Sequence, residues 1–158
     1  MKNLEYLCVD SFLQNQKRIT KTAIIWINKE GSIRKESFFD VLSESNKFAN
    51  LLLKIGIKKS DRTLIVLPNS PKLVHSFLGC LKIQANCSLI FANIGEATLR
   101  NRISETNINV IVTNVRLHKK YEKVLNEFGE SLRIIEVDND GTTSPNTMGI
   151  DSLIDKVS

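Results

Sequence analysis

The sequence has no long apolar run. No stretch approaches the roughly 20 apolar residues that a helix needs to cross a bilayer. Residues 1–18, MKNLEYLCVDSFLQNQKR, alternate charged and apolar side chains and lack the continuous apolar segment of a secretory signal peptide. These absences argue against a membrane-spanning or secreted protein. We therefore expect a cytoplasmic protein with no membrane partner.

Cysteine and histidine are scarce. The chain has three cysteines and two histidines, and no Cys-x-x-Cys pair occurs. An odd and small number of cysteines argues against a disulfide framework, and two histidines are too few for a zinc cluster. Cys80 and Cys87 lie in apolar stretches, so we predict buried free thiols there. We interpret both histidines, His75 and His118, as packing or surface residues.

Glycine-rich phosphate loops are also missing. Neither a Walker motif nor Gly-x-Gly-x-x-Gly is present. The nearest candidate, Asp140–Asn146, has one glycine and no following lysine, so we interpret it as part of a polar loop over residues 138–149. A triad of Ser76, His75 and Asp61 is not supported by the spacing or the setting of these residues. No catalytic residue and no metal ligand is assigned.

The net charge of +5 is mild, and the basic residues are scattered. The densest basic stretch covers residues 116–123, where apolar Leu117, Tyr121 and Val124 recur at helical spacing. A nucleic-acid site would need clustered arginines beside aromatic stacking platforms. We interpret the stretch as a solvated helix face and expect no nucleic-acid partner.

The 158 residues, 42% of them hydrophobic, are enough for one domain over residues 1–158. Short apolar runs typical of buried strands alternate with helical patterns. The strands are predicted at 62–67, 87–91, 110–112 and 132–137, and the helices at 71–81, 96–106, 116–128 and 150–157. Such alternation predicts an α/β fold, with a doubly wound, mainly parallel sheet and helices on both faces.

The first third of the chain has a different pattern. Residues 3–18 are predicted as a helix, and residues 23–27 as a strand that returns in a hairpin at 33–35. A longer helix follows. Ser37 is suited to cap its start, and Gly56 to end it in the left-handed conformation.

Three local features of the later helices can be predicted. Ser70 followed by Pro71 is typical of a helix start, with the serine as cap. Gly79, inside the same helix, indicates the close approach of another element. Glu96 and Arg100 are spaced for an ion pair one turn apart.

A series of short motifs, each occurring once, lies in a characteristic order over residues 3–137. They include Ala23-Ile24-Ile25-Trp26, Ser37-Phe38-Phe39-Asp40-Val41, Lys59-Ser60-Asp61-Arg62, Leu67-Pro68-Asn69, Ser88-Leu89-Ile90-Phe91-Ala92 and Leu99-Arg100-Asn101-Arg102-Ile103. Together they resemble the start of the acyl-adenylate-forming enzymes, the AMP-dependent synthetases and ligases, and in particular their acetyl-CoA synthetase branch. Ser60 and Gln84 depart from the pattern, since both stand where the family has glycine.

The resemblance implies a function. The family converts a carboxylic acid and ATP to an acyl-adenylate and then to an acyl-CoA, using ATP, Mg and CoA. By resemblance, this chain is the N-terminal part of an AMP-binding domain. Ala92 and Asn93 would then lie in the wall of the CoA tunnel, with Asn93 where the branch usually has glycine.

The family's catalytic elements are missing from this sequence. These are the Thr/Ser/Gly-rich phosphate loop ending in Pro-Lys, the adenine-stacking aromatic, the ribose-binding acid, the hinge and the catalytic lysine. We therefore expect a fragment that is inactive alone and binds no cofactor by itself, with the remaining part of the synthetase or a second copy as partner. Two alternatives stay open: a free-standing interaction or regulatory module, and a flavodoxin-like nucleotide binder.

Overall fold

The computed structural model describes residues 16–138 and 147–149. The helices are α1 (Gln16–Ile19), α2 (Phe38–Lys54), α3 (Pro71–Lys82), α4 (Glu96–Glu105) and α5 (Val115–Asn126), with a 3₁₀ turn at Gly129–Ser131. The strands are β1 (Thr22–Ile27), β2 (Ile33–Ser37), β3 (Arg62–Val66), β4 (Asn86–Ile90), β5 (Val110–Thr113), β6 (Arg133–Glu136) and β7 (Thr147–Gly149). The helix predicted at 150–157, most of that at 3–18, and Asp140–Asn146 lie outside the described residues.

The main sheet is parallel, as predicted. Its strand order is β4-β3-β5-β6-β7, and every neighbouring pair runs in the same direction. At its centre Ile65 lies between Leu89 and Val112. β7 corrects the prediction of a polar loop throughout 138–149, because Thr147 pairs with Ile134 and extends the sheet. A strand of three residues is too short for its alternation to show in the sequence.

Helices cover both faces of the sheet, which confirms the doubly wound arrangement. On one face Ile65, Val112 and Ile135 pack with side chains of α2 and α3. On the other face the alternate strand residues pack against α4 and α5. Successive side chains of a strand point to opposite faces, so a strand buried on both sides is apolar throughout.

The β4 strand is less buried than predicted. The sequence predicts a buried strand at 87–91, but among the described residues β4 lies at the edge of the sheet, and Leu89 keeps 49% of its surface exposed. Cys87 is only half-buried, whereas Cys80 is fully buried. A hydrogen bond to Cys87, together with burial, raises the pKa of the Cys80 thiol. An apolar run alone cannot tell an edge strand from a central one, because burial depends on neighbours distant in sequence.

The β1–β2 hairpin and the start of α2 follow the prediction. The two strands pair antiparallel, with Ile27 opposite Ile33. Ser37 Oγ accepts a hydrogen bond from the backbone N–H of Asp40 at 3.2 Å, and Asp40 Oδ2 accepts one from the Ser37 N–H at 2.7 Å. This is a full capping box. The hydrogen bonds from the side chain and backbone of Ser37 lower the pKa of Asp40. Gly56 ends the helix region with φ of +82°, as expected.

Helices α2 and α3 touch at Gly79. A Cβ atom placed on this glycine would lie 2.7 Å from Phe48 Cδ1 and 3.1 Å from the backbone nitrogen of Ala49. No real Cβ fits at the first distance without a shift of its neighbours. The close approach predicted from this glycine is therefore confirmed.

Two local predictions need correction. Ser70 precedes α3 with Pro71 in its first turn, but its side chain makes no capping hydrogen bond, and its carbonyl accepts from the N–H of Leu73 instead. The guanidinium of Arg100 makes two hydrogen bonds of 2.6 Å to the Glu127 carboxylate rather than to Glu96. A bidentate partner just after the end of the neighbouring helix α5 offers better geometry than a carboxylate one turn away.

Ser60 and Gln84, which by resemblance stand where the family has glycine, both adopt left-handed backbone conformations, with φ of +84° and +59°. A side chain in this region costs about 1–2 kcal/mol. We expect Ser60→Gly and Gln84→Gly each to raise the free energy of unfolding by about 1 kcal/mol, measured by urea titration. Ser104→Gly, at an exposed position inside the helix α4, should not stabilise the chain. No gain at either position would contradict this account of strain.

Candidate functional site

The strand order creates a crevice at the carboxyl ends of β3 and β5. From β3 the chain crosses to β4 on one side and then to β5 on the other, so the winding direction reverses between β3 and β5. In open α/β sheets, ligands bind outside the carboxyl ends of the strands at such a point. Residues 67–70 leave β3 here, and Asn114 follows the end of β5.

A cavity of about 310 Å³ lies at this edge of the sheet, on the side of α2 and α3. That volume is at the lower end of small-molecule pockets. Its apolar wall is formed by Trp26, Phe48, Leu67, Pro68, Pro71 and Val137, and its polar lining by Arg34, Glu44, Ser70, Lys72, His75, Ser76, Asn114 and Asp138. The hairpin closes one side, where the indole N–H of Trp26 donates to the carbonyl of Asn69 at 3.1 Å.

A buried histidine–glutamate pair lies beside this cavity. His75 Nε2 is 2.8 Å from Glu36 Oε2, and both side chains are almost fully buried. Arg34 Nη2 lies 2.8 Å from the other carboxylate oxygen, Oε1, but without the alignment of a hydrogen bond. The pair joins β2 to α3. Sequence reasoning missed it because 39 residues separate its members. The strand predicted at 33–35 stops before Glu36, so the sequence does not mark this glutamate as an inward-facing strand residue.

Two other charged groups at the cavity, Lys72 and Asp138, bind backbone atoms. The Lys72 ammonium donates to the carbonyl of Val137, which links α3 to the end of β6. Asp138 Oδ1 accepts a hydrogen bond from the N–H of Val115 at 3.1 Å, at the first turn of α5. These contacts hold the loops around the crevice in place.

The structure does not assemble Ser76, His75 and Asp61 into a triad. Asp61 lies at the amino end of β3, where its carboxylate accepts from the N–H of Lys58 at 2.6 Å and from Asn109 Nδ2 at 2.8 Å. Burial would raise the pKa of Asp61, but these hydrogen bonds outweigh it and lower the pKa. Asp61 therefore fixes a turn and does not orient a catalytic histidine.

Ala92 and Asn93 lie in the loop between β4 and α4, next to the crevice edge of the sheet. The Tyr121 hydroxyl reaches this loop from α5 and lies 2.8 Å from the carbonyl of Ala92 and 2.9 Å from that of Ile94. Its single proton is shared between the two acceptors. Tyr121 is itself buried, so the loop backbone has a rigid anchor, while the Asn93 side chain faces solvent.

The family of the chain follows from its match to known proteins. The model of a family described as "AMP-binding enzyme" matches residues 12–156. The chain belongs to this family. A 3-hydroxypropionyl-coenzyme A synthetase of Sulfurisphaera tokodaii is 31% identical over 98% of the chain. An acetyl-coenzyme A synthetase of Rubrobacter xylanophilus is 38% identical over 70% of the chain.

A solved structure supports the fold of this AMP-binding family member. The acyl-CoA synthetase of Brucella canis superimposes with a TM-score of 0.81 over 98% of the chain, at 21% identity. The chain spans only 27% of that protein and 25% of the Sulfurisphaera tokodaii enzyme. The resemblance seen in the sequence is thereby confirmed at the level of family and fold.

The predicted site residues of this family member both have a defined position in the fold. The structure places Ala92 and Asn93 side by side on an anchored loop, and their place in a CoA tunnel stays a prediction. Within residues 16–138 and 147–149, no group of His, Cys, Asp or Glu side chains is arranged to hold a metal ion. In the same residues, no helix is both long and apolar enough to cross a membrane.

Proposed function

We propose that this chain forms the N-terminal part of the large domain of an AMP-forming acyl-CoA synthetase, and that it is inactive alone. In the complete enzyme an acid, ATP and CoA react to acyl-CoA, AMP and pyrophosphate. The chain contributes the sheet and the Ala92–Asn93 loop, which forms part of the CoA tunnel wall. The remaining part supplies the phosphate loop, the adenine and ribose contacts and the catalytic lysine, and with them binds ATP and Mg.

The coverage of the relatives carries this proposal. Almost the whole chain, 98% of it, aligns with only 25% of a coenzyme A synthetase. The contacts of the polar groups around the crevice support the same proposal. Glu36, His75, Lys72 and Asp138 are engaged with one another or with backbone atoms. None of them stands in a nucleophile–base arrangement, so these contacts organise the fold rather than perform chemistry.

Complementation tests the proposal. The Rubrobacter xylanophilus synthetase would be shortened by removing its N-terminal part up to the end of the stretch that matches this chain. We expect neither this remainder nor residues 1–158 alone to release pyrophosphate in the presence of acetate, ATP and CoA. The mixture, or the two joined in one polypeptide, should do so. Acetate-dependent pyrophosphate release would be measured.

Other results would contradict the proposal in different ways. Pyrophosphate release by residues 1–158 alone would show that the chain is itself catalytic. Micromolar, magnesium-dependent ATP binding by calorimetry would instead favour a free-standing nucleotide binder. That alternative has support in the strand order, because the flavodoxin-like order places its ligand at the same switch point. Without the phosphate loop, we expect no ATP binding below roughly millimolar, about −4 kcal/mol.

The role of Asn93 has a separate test. In the joined polypeptide, Asn93→Gly should lower the KM for CoA by roughly 3- to 10-fold, up to about 1.4 kcal/mol. The expected cause is the removal of a side chain that narrows the tunnel, while Tyr121 keeps the loop backbone in place. The KM for ATP should not change. Asn69→Gly, at another exposed loop asparagine of the crevice, serves as control. Equal changes for CoA and ATP would argue against a tunnel-wall position.

A further inference from the structure

The β4 strand is an open edge of the parallel sheet. It pairs with β3 on one side, and in the described part of the chain no strand pairs with its other side. In a parallel pair, alternate N–H and C=O groups face the neighbour, so the remaining groups of β4 point outward. An unpaired row of this kind is a template for another strand.

The sequence of this edge lacks the usual protection. Residues 86–91, Asn-Cys-Ser-Leu-Ile-Phe, contain no charge, no proline and no glycine. Proteins normally blunt a free edge with a lysine, a proline or a bulge. Here Leu89 is 49% exposed, and Phe91, just after the strand, is 86% exposed. The register with β3 is unbroken over five residue pairs, from Arg62–Asn86 to Val66–Ile90, so no bulge bends the strand away.

We propose that the outer edge of β4 pairs with a strand from the remaining part of the synthetase, continuing the sheet. This inference rests on the proposed function and adds the place where the two parts join. An edge strand pairs with another extended segment of backbone. The remaining part of a synthetase is long enough to supply one, because the chain spans only 25% of the Sulfurisphaera tokodaii relative and about three quarters of that protein lie outside the match. A second copy of this chain is the less favourable occupant, because each copy carries a net charge of +5.

Hydrogen exchange locates the junction directly. Amide exchange of residues 1–158 would be followed by NMR with and without the N-terminally shortened Rubrobacter xylanophilus synthetase. We expect the outward-facing amides of β4 to exchange at least tenfold more slowly in the complex. Amides that already face β3 should change much less.

Lysine substitutions on the edge provide the second measurement. Leu89→Lys and Ser88→Lys place a charge on either face of β4 at exposed positions, and each should weaken binding to the shortened synthetase at least tenfold. The matched control is Leu53→Lys on α2, where the leucine is similarly exposed, at 56% against 49% for Leu89, and binding should not change. Circular dichroism melts verify that all three variants fold.

The outcomes separate this inference from the function. The complex could form and be active while the outward-facing β4 amides gain no protection and both edge variants bind as tightly as Leu53→Lys. In that case the inference is wrong and the proposed function stands. If neither the mixture nor the joined polypeptide releases pyrophosphate, both the inference and the proposed function are wrong. If residues 1–158 alone sediment as a dimer, with β4 protection rising with concentration, the edge belongs to a second copy and the inference is overturned.

Discussion

Replacing Gly79 with leucine is expected to lower the free energy of unfolding by about 3 kcal/mol, at the upper end of overpacking effects. A Cβ at this position would lie 2.7 Å from Phe48 Cδ1 and 3.1 Å from the backbone nitrogen of Ala49. The phenyl ring can rotate, but the backbone of α2 cannot yield without moving the helix. The gain in helix propensity on replacing glycine, about 1 kcal/mol, is too small to offset this. Urea unfolding measures the loss.

Two further variants identify the cause. Ala97→Leu makes a similar substitution on the exposed face of α4 and should change stability by less than about 0.5 kcal/mol. Phe48→Ala combined with Gly79→Leu should be less destabilising than the two single changes added together, because the smaller side chain makes room for the larger. If Gly79→Leu were as stable as the parent, helices α2 and α3 could not pack as described.

The second large effect is expected at the buried Glu36–His75 pair. Substituting leucine for His75 removes the imidazole that lies 2.8 Å from Glu36 Oε2 and leaves the carboxylate buried, with Arg34 as its one remaining cationic partner in the described part of the chain. Breaking a buried pair from one side typically costs 3–5 kcal/mol. We expect a loss of about 3 kcal/mol in the free energy of unfolding, because Arg34 still compensates part of the charge. The measurement is again urea unfolding.

A double-mutant cycle distinguishes a lost partner from lost packing. Glu36→Leu together with His75→Leu should be closer in stability to the parent than His75→Leu alone, since no carboxylate then remains buried. Lys47→Leu breaks the exposed pair with Glu44, whose atoms are also 2.8 Å apart, and should cost less than about 1 kcal/mol. A His75→Leu variant with parental stability would refute the structural role of the pair.

Features set by neighbouring residues could be predicted from the sequence. The capping box of Ser37 and Asp40, the left-handed Gly56 and the central strands all depend on residues a few positions apart. The close approach of another element at Gly79 could also be predicted. A glycine inside an apolar helix lowers helix stability, and close packing of a neighbouring element offsets that loss. The family resemblance predicted both the family and the fold, since it drew on motifs spread over most of the chain.

Features set by distant residues could not be predicted. Nothing in the residues around β4 shows that it lies at the edge of the sheet, because that depends on the strand order. Arg100 prefers Glu127, which is 27 residues away, to the nearby Glu96. The Glu36–His75 pair and the Tyr121 anchor of the candidate site are equally non-local. Only the folded chain brings these groups together.

The Tyr121 anchor also imposes an order of events during translation. Ala92 precedes its hydrogen-bond partner by 29 residues. At typical synthesis rates of 5–20 residues per second, the ribosome needs roughly 1.5–6 s to add them. During that interval the loop after β4 has no phenol to hold its carbonyl groups, although β3 and β4 are already made. The conformation of the loop proposed for the CoA tunnel wall is therefore fixed by a residue that is synthesised later. A stalled nascent chain ending before position 121 would carry this loop without its anchor.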